Sequence, residues 1–587
     1  MTAKGILVYW RSLVVVLTPL VLLPLPLMHP DDSAEGERMA PEARIARAAY
    51  GVLLLAVFWV TEVVPLPVTS MLPVVLFPVL GVLSTEDVCV AYLKETNMMF
   101  IGGLIVAIAV EHCHLHKRIA LRVMMVIGAS PRRLMLGFMI PTMFLSMWIS
   151  NTATTAMMVP IVSAVLDELK AQEMQNNERR PSVISKATSR HDSGTFDQET
   201  RRKSLARVEM DKLPRPSRES VAYYLGVAYA ANIGGTGTLI GTATNLTFKG
   251  LYDGDFPLLH GLNFANWMVF NVPLMLVNAV VAWVWLQVLY MGLFRKGGNK
   301  YKQSPEQLQA VEAVIGAKYR ELGPMTFHEG SVLFLFVSVV LLWFFRAPEF
   351  IPGWGRLVSK EVKIKDASAA VLVVFLLFVL PANLDFLRPR GPRKATPALL
   401  NWKIVHEKLP WGLVLLIGGG FAMSAAARKS GLSELIGRQL VRLQDSMPPE
   451  GRSVTILVLM CTATTFLTEV SSNTAIANIV LPVLARMASA MRVHPLYFMM
   501  PATLCCSYAF MLPVATPPNA IVMAASNMRS GDMIKAGLGM NFLCLATLFI
   551  MFPTFGTWLY GLDVFPEAAA HVGPIIAAHV NSSVILS

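Results

Sequence analysis

The sequence predicts an all-α polytopic membrane protein built from two inverted halves, and three observations predict it. Only 15% of the 587 residues are charged and 54% are hydrophobic, whereas a soluble domain carries about 25% charged residues. The mean hydropathy of +0.54 points the same way. Apolar stretches of about 20 residues, enough to cross ~30 Å of hydrocarbon, recur close to a dozen times. Polar motifs of the first half return in the same order in the second. A cytosolic enzyme, a secreted disulfide scaffold and a nucleic-acid-binding domain are excluded.

Along the chain, the first apolar stretch, 13–29, follows Lys4 and Arg11 and lacks a small-residue cleavage site. It reads as a retained first span, not a removed signal peptide. Further spans fall at 47–66, 68–84, 97–114, 264–294, 329–347, 367–385, 410–427 and 533–562. Segments 220–250 and 497–526 are interrupted by Gly, Pro and Thr clusters that cannot sustain regular helix. Segment 169–218, with Arg179–Arg180 and Arg201–Arg202–Lys203, has almost no apolar periodicity and reads as a disordered cytosolic loop. Much of the net charge of +12 sits in such loops, as the positive-inside rule expects. Ser204 completes a basophilic kinase pattern of a kind common by chance. The six cysteines lie in or beside apolar runs and read as free, buried thiols.

The repeat divides the chain. Ser150–Asn151–Thr152–Ala153, ending at Pro160, is matched by Ser472–Asn473–Thr474–Ala475, ending at Pro482. Gly241–Thr242–Ala243–Thr244–Asn245 is matched by Ala515–Thr516–Pro517–Pro518–Asn519, and Gly102–Gly103 by Gly418–Gly419–Gly420. The expected domains are a first span and external loop (1–46), a first repeat (47–296), a cytosolic connector (297–327), a second repeat (328–562) and an extracellular tail (563–587). An odd number of crossings per repeat inverts the second half, a mark of secondary transporters.

Segments 134–168 and 453–490 have apolar arms too short for a comfortable full span, meeting at Ser-Asn-Thr. Each is expected to be a helix–turn–helix hairpin that turns inside the protein. A helix starting at Thr152 or Thr474 offers unpaired N–H groups and a positive dipole end to a carboxylate. Carbonyls freed at the turn, with the Asn oxygen, suit a hard cation such as sodium. The glycine runs at 102–103 and 418–420 read as packing surfaces. Glu62 and Glu469 lie in apolar segments, where a charge is costly; for Glu469, cation binding and tip geometry stand beside a bland role. The run Glu111–His112–Cys113–His114 reads as a span end with snorkelling side chains rather than a metal site. Ser150 and Ser472 have no evident His or Lys base, which argues against a hydrolase.

The twin Ser-Asn-Thr hairpins, Gly241–Asn245 and Leu512–Asn519 resemble the divalent anion:sodium symporter family over nearly the whole chain. Arg118–Val123 and His494–Tyr497 resemble its animal carboxylate branch, and Tyr223–Gly226 and Asn245–Gly250 its insect members. The resemblance implies about 11 transmembrane helices, two re-entrant hairpins, a homodimer and elevator-type motion. It implies transport of succinate, citrate and related carboxylates across the plasma membrane, coupled to sodium, with no other cofactor. Sodium-independent exchange is the alternative, and sulfate transport a weaker one. By position, one sodium site takes Ser146, Ser150, Asn151 and backbone near Gly241. The other takes Thr468, Ser472, Asn473 and backbone near Ala515. The carboxylates fall to Asn151, Thr152, Thr242, Asn473, Thr474 and Thr516. An offset of 322 relates 146 to 468 and 151 to 473, so the repeat supports the assignment independently. Ala243–Thr244 stands where many family members carry proline. With a cytosolic N-terminus, eleven crossings leave the C-terminus extracellular, where Asn581–Ser582–Ser583 is the expected glycosylation site and Asn245–Leu246–Thr247 is not.

Overall fold

The computed structural model describes residues 9–29, 39–178, 216–259, 262–293, 305–348, 351–359, 361–385, 396–436, 439 and 451–570. Ser204, Asn581 and most of segment 169–218 lie outside them. Among the described residues the fold is helical, with a single isolated bridge between Pro381 and Ala398. Eight helices among these residues are long and apolar enough to cross a membrane. Four shorter apolar helices, Leu66–Val79, Asp366–Val379, Arg452–Leu467 and Pro495–Cys505, accompany them.

The helices that position the site are α1 (Glu95–His112), α2 (Leu115–Ile127), α3 (Pro131–Ser146), α4 (Asn151–Glu178), α5 (Arg218–Gly234), α6 (Ala243–Asp255) and α7 (Phe264–Leu286). In the second half they are α8 (Phe327–Phe344), α9 (Asp366–Val379), α10 (Trp411–Ser430), α11 (Arg452–Leu467), α12 (Asn473–Ala490), α13 (Pro495–Cys505), α14 (Pro517–Ser526) and α15 (Ser530–Met551). Their starts follow local chemistry. Proline, preset for a first turn, opens α3, α13 and α14. Ser217 and Asn263 side chains accept N–H bonds that cap α5 and α7, and Thr326 with Glu329 forms a capping box at α8.

At the expected hairpins, two helix pairs are joined by short turns, α3–α4 and α11–α12, each followed by a broken pair, α5/α6 or α13/α14, and then a long helix, α7 or α15; α4 is longer than the short arm expected, since Asn151–Gln172 is itself long and apolar enough to cross a membrane. Their packing is crossed: α4 lies against α14, α6 lies against α12, and α7 lies against α15. Each hairpin therefore rests on a half-helix from the opposite repeat, which brings the two tips toward one centre.

The glycine runs pack as expected. A Cβ at Gly420 would lie 2.0 Å from Asn478 Oδ1, and one at Gly102 would lie 2.7 Å from Ala370 Cβ. Three readings change. Helix α4 continues to Glu178, inside the segment read as loop, where the polar sequence carries no apolar stripe to read. Glu62 is exposed just beyond the helix Pro41–Thr61, with a left-handed φ of 49°, so it is not a charge inside an apolar segment. Cys89 is exposed, while the other five cysteines are buried.

Candidate functional site

The first tip is built around a four-residue turn between α3 and α4. The Ser146 hydroxyl, fully buried, lies 2.6 Å from Asn151 Oδ1 and 2.8 Å from the Ala231 carbonyl. It has one proton to donate, so two further oxygens crowd around a single hydrogen. Ser150 sits at the helix start, its Oγ accepting from the Ala153 N–H at 3.3 Å. Thr152 is exposed in the first turn of α4.

Opposite this turn, the chain between α5 and α6 unwinds. A Cβ at Gly235 would come within 2.7 Å of Asn151 Oδ1 and 2.6 Å of Thr242 Cγ2, so Gly235 lets Asn151 and Thr242 meet across bare backbone. Gly241 folds back on it: its own Cβ would lie 2.4 Å from the Gly235 carbonyl oxygen. Thr242 caps α6 by accepting from the Asn245 N–H at 3.4 Å. Asn245 donates to the carbonyls of Gly235 at 3.0 Å and Thr238 at 2.8 Å, fixing the loop, while its buried Oδ1 has no protein partner.

The second tip repeats the hydroxyl–asparagine–carbonyl cluster and the loop-fixing asparagine. The Thr468 hydroxyl, fully buried, lies 2.7 Å from Asn473 Oδ1 and 2.9 Å from the Cys506 carbonyl. Asn519 donates to the carbonyls of Ala509 and Leu512, both at 3.0 Å. An offset of 274 carries Asn245, Gly235 and Thr238 onto Asn519, Ala509 and Leu512. Ser472 precedes α12 as its N-cap, without a side-chain capping bond. Thr474 and Thr516 are buried, and Ala515 is buried beside Thr516.

Asn232, which the motif reading missed, joins the halves. From the end of α5 its Nδ2 donates to Thr516 Oγ1 at 3.2 Å and to the Ala509 carbonyl at 3.3 Å. A lone asparagine in an apolar run was the available signal. Glu469 resolves as a positioning group: its carboxylate accepts from the N–H groups of Phe510, Met511 and Leu512 at 2.8–3.1 Å and from Asn541 Nδ2 at 2.8 Å. It holds the unwound strand of the second tip. Glu111 pairs with Lys408 at 2.5 Å.

Chemically, each tip gathers hydroxyl, amide and carbonyl oxygens with more lone pairs than protons, a donor set that suits a hard monovalent cation. Each also aims the N-terminus of a helix at the same space, which suits an anion. Two such tips related by an internal repeat, each facing a broken helix, define a secondary-transporter architecture. The comparisons name the group: the profile described as the sodium:sulfate symporter transmembrane region matches residues 7–562, and the chain belongs to that family of transporters, which are not enzymes.

Over 577 residues the chain is 43% identical to Protein I'm not dead yet of Drosophila melanogaster, covering 96% of this chain and 91% of that one. It is 42% identical over 590 residues to the Na(+)/citrate cotransporter of Rattus norvegicus, covering 97% and 98%. It is 40% identical over 584 residues to Na(+)/dicarboxylate cotransporter 3 of Homo sapiens, covering 95% and 94%. Among solved structures it resembles MtrF of Neisseria gonorrhoeae, described within a class of antimetabolite efflux pumps. That likeness has a TM-score of 0.50 at 15% identity over 96% of both chains, and is one of fold alone.

Proposed function

We propose that this protein is a sodium-coupled symporter of di- and tricarboxylates of the succinate and citrate type. The observation that carries the reading is the pair of oxygen clusters, Ser146–Asn151–Ala231 and Thr468–Asn473–Cys506, matched in distance across the repeat. One sodium takes Ser146, Ser150, Asn151 and backbone near Gly241; the other takes Thr468, Ser472, Asn473 and backbone near Ala515. The anion lies between the tips, on Asn151, Thr152, Thr242, Asn473, Thr474 and Thr516. Sodium at both clusters draws the Asn oxygens toward the cations and leaves amide N–H groups for carboxylate, so anion binds after cation. Relatives named for citrate and dicarboxylate support a carboxylate over the sulfate of the family description.

In this reading the chain crosses the plasma membrane eleven times. The two hairpins turn back at mid-depth, the N-terminus is cytosolic and the C-terminus extracellular. The site rides on an elevator-like transport unit within a homodimer. Radiolabelled succinate and citrate uptake into proteoliposomes tests the function. Uptake is expected to saturate with substrate and to rise sigmoidally with sodium. Undiminished uptake with choline in place of sodium would replace symport by exchange. For orientation, a glycan is expected on Asn581 alone, since the Asn245 amide is buried and donates to two carbonyls. A glycosidase shift that survives Asn581→Gln and vanishes on loss of Asn245 would overturn the topology.

A further inference from the structure

A second cationic feature lies outside the tips. A cavity of about 930 Å³ opens between the C-terminal part of α6, the start of α1, and the segment that links α8 to α9. Its lining carries five cations, Lys249, Arg346, Arg356, Lys363 and Lys365, and three carboxylates, Glu95, Asp253 and Asp366. Every carboxylate is engaged. Asp366 pairs with Arg346, Asp253 with Lys249, and Glu95 with Lys365 at 3.9 Å. Arg356 and Lys363 are exposed and make no ion pair among the described residues. The lining therefore holds an excess of two positive charges, equal and opposite to a dicarboxylate.

The cavity is also in line with the tips. Lys249 lies on α6, the helix that Thr242 caps, seven residues further along. At 1.5 Å per residue that is about 10 Å of helix axis. A concave wall of one charge sign raises the local concentration of counter-ions and steers their approach.

We propose that this cavity is an entrance vestibule that collects dicarboxylate anions before they reach the tips, with Arg356 and Lys363 as its capture groups. The proposal rests on the carboxylate reading and on the orientation that puts the α8–α9 link outside. Capture there is a diffusional, electrostatic step: it lowers the apparent KM for influx, leaves the maximal rate to the elevator motion, and weakens as salt screens the two cations.

The test measures succinate influx and efflux separately in reconstituted vesicles at fixed sodium, with ionic strength varied by choline chloride and osmolarity held with mannitol. Wild type is expected to show an influx KM that rises with salt. Arg356→Gln combined with Lys363→Gln should raise the low-salt influx KM about three- to tenfold and flatten the salt dependence. Maximal influx rate per inserted carrier should stay unchanged, while the quotient of maximal rate and KM for efflux falls by the same factor as that for influx, as reversibility requires. Each single change should give an intermediate slope, which keeps the test available if the double variant inserts poorly, and Arg356→Lys with Lys363→Arg should behave as wild type. An unchanged influx KM and salt slope, or a fall in maximal influx rate in place of the KM change, would overturn the vestibule. Absence of any saturable succinate uptake by wild type would instead sink the symport reading.

Discussion

The two hairpin tips share one hydrogen-bond geometry but are held by different physics. In the first half the unwound segment 234–241 is rich in glycine, and its backbone simply closes on the tip, with Gly235 against Asn151. Neutral bonds finish it: Thr238 Oγ1 donates to the Met147 carbonyl at 2.5 Å, and Trp267 Nε1 donates to the Thr236 carbonyl at 3.1 Å. In the second half the segment 506–516 contains no glycine. Three consecutive N–H groups, 510–512, converge instead on the Glu469 carboxylate, an arrangement of backbone donors that binds anions. The position equivalent to Glu469 at the offset of 322 is Met147. Exposure differs too, since Thr152 is open and Thr474 is 5% exposed. Repeat symmetry thus predicts which atoms form a site, while the tolerance of each half to mutation follows from what holds it.

The comparison breaks first if the halves are not equivalent where they match. Asn151→Ala and Asn473→Ala each remove an amide central to one oxygen cluster, and both are expected to reduce succinate uptake by about a hundredfold at normal surface expression. Near wild-type uptake by either variant would end the paired-site reading. Glu469→Gln comes next. It replaces a charged acceptor of several N–H bonds, worth about 1.5–3 kcal/mol, and should raise the half-saturating sodium concentration roughly tenfold. Met147→Leu should barely change it. Equal effects of the two would show that the carboxylate is not what distinguishes the halves.

A glycine pair sharpens the contrast. Gly235→Ala puts a methyl within 2.7 Å of Asn151 Oδ1, and uptake should fall about tenfold or more. The counterpart Ala509→Gly removes a methyl the second half already accommodates and should cost about twofold. Measuring both against surface-biotinylated protein checks this, and the reverse ranking would contradict the packing. The smallest effect concerns pH. His116 and His494 are buried, and burial pushes each pKa from 6.5 down to about 4. The unfolded chain binds protons that the folded chain refuses between those values. Stability is therefore complete above pH 6.5 and falls as pH drops toward 4. The Tm of purified protein should decline by a few degrees from pH 7.5 to 5.5, and His116→Gln should remove part of the decline; a flat profile would contradict the burial of these rings.

Much of this was legible because polar residues inside apolar runs are conspicuous. Ser-Asn-Thr appears twice, and the structure places a short turn between two helices at both. The closing asparagines, Asn245 and Asn519, were visible in the matched motifs, though not their grip on carbonyls seven and ten residues earlier. Asn232 and Asn541 escaped because a single amide in an apolar helix carries no spacing signal, and their partners lie 284 and 72 residues away. The extension of α4 to Glu178 escaped for the opposite reason: its polar sequence has no apolar stripe to read.

Crossed packing also has a consequence for how the chain is made. Because α4 rests on α14 and α6 rests on α12, each tip can close its own hydrogen bonds but is not packed until the opposite repeat has been synthesised. The bond from Asn232 to Thr516 waits for 284 further residues to leave the ribosome. The first repeat must then remain in the bilayer with the Asn232 amide unmatched, exposed to quality control, until the second arrives. A chain truncated after α7 would be inserted but not assembled, and supplying the second repeat as a separate polypeptide should rescue it, since the helices that pack behind each tip come from the other half.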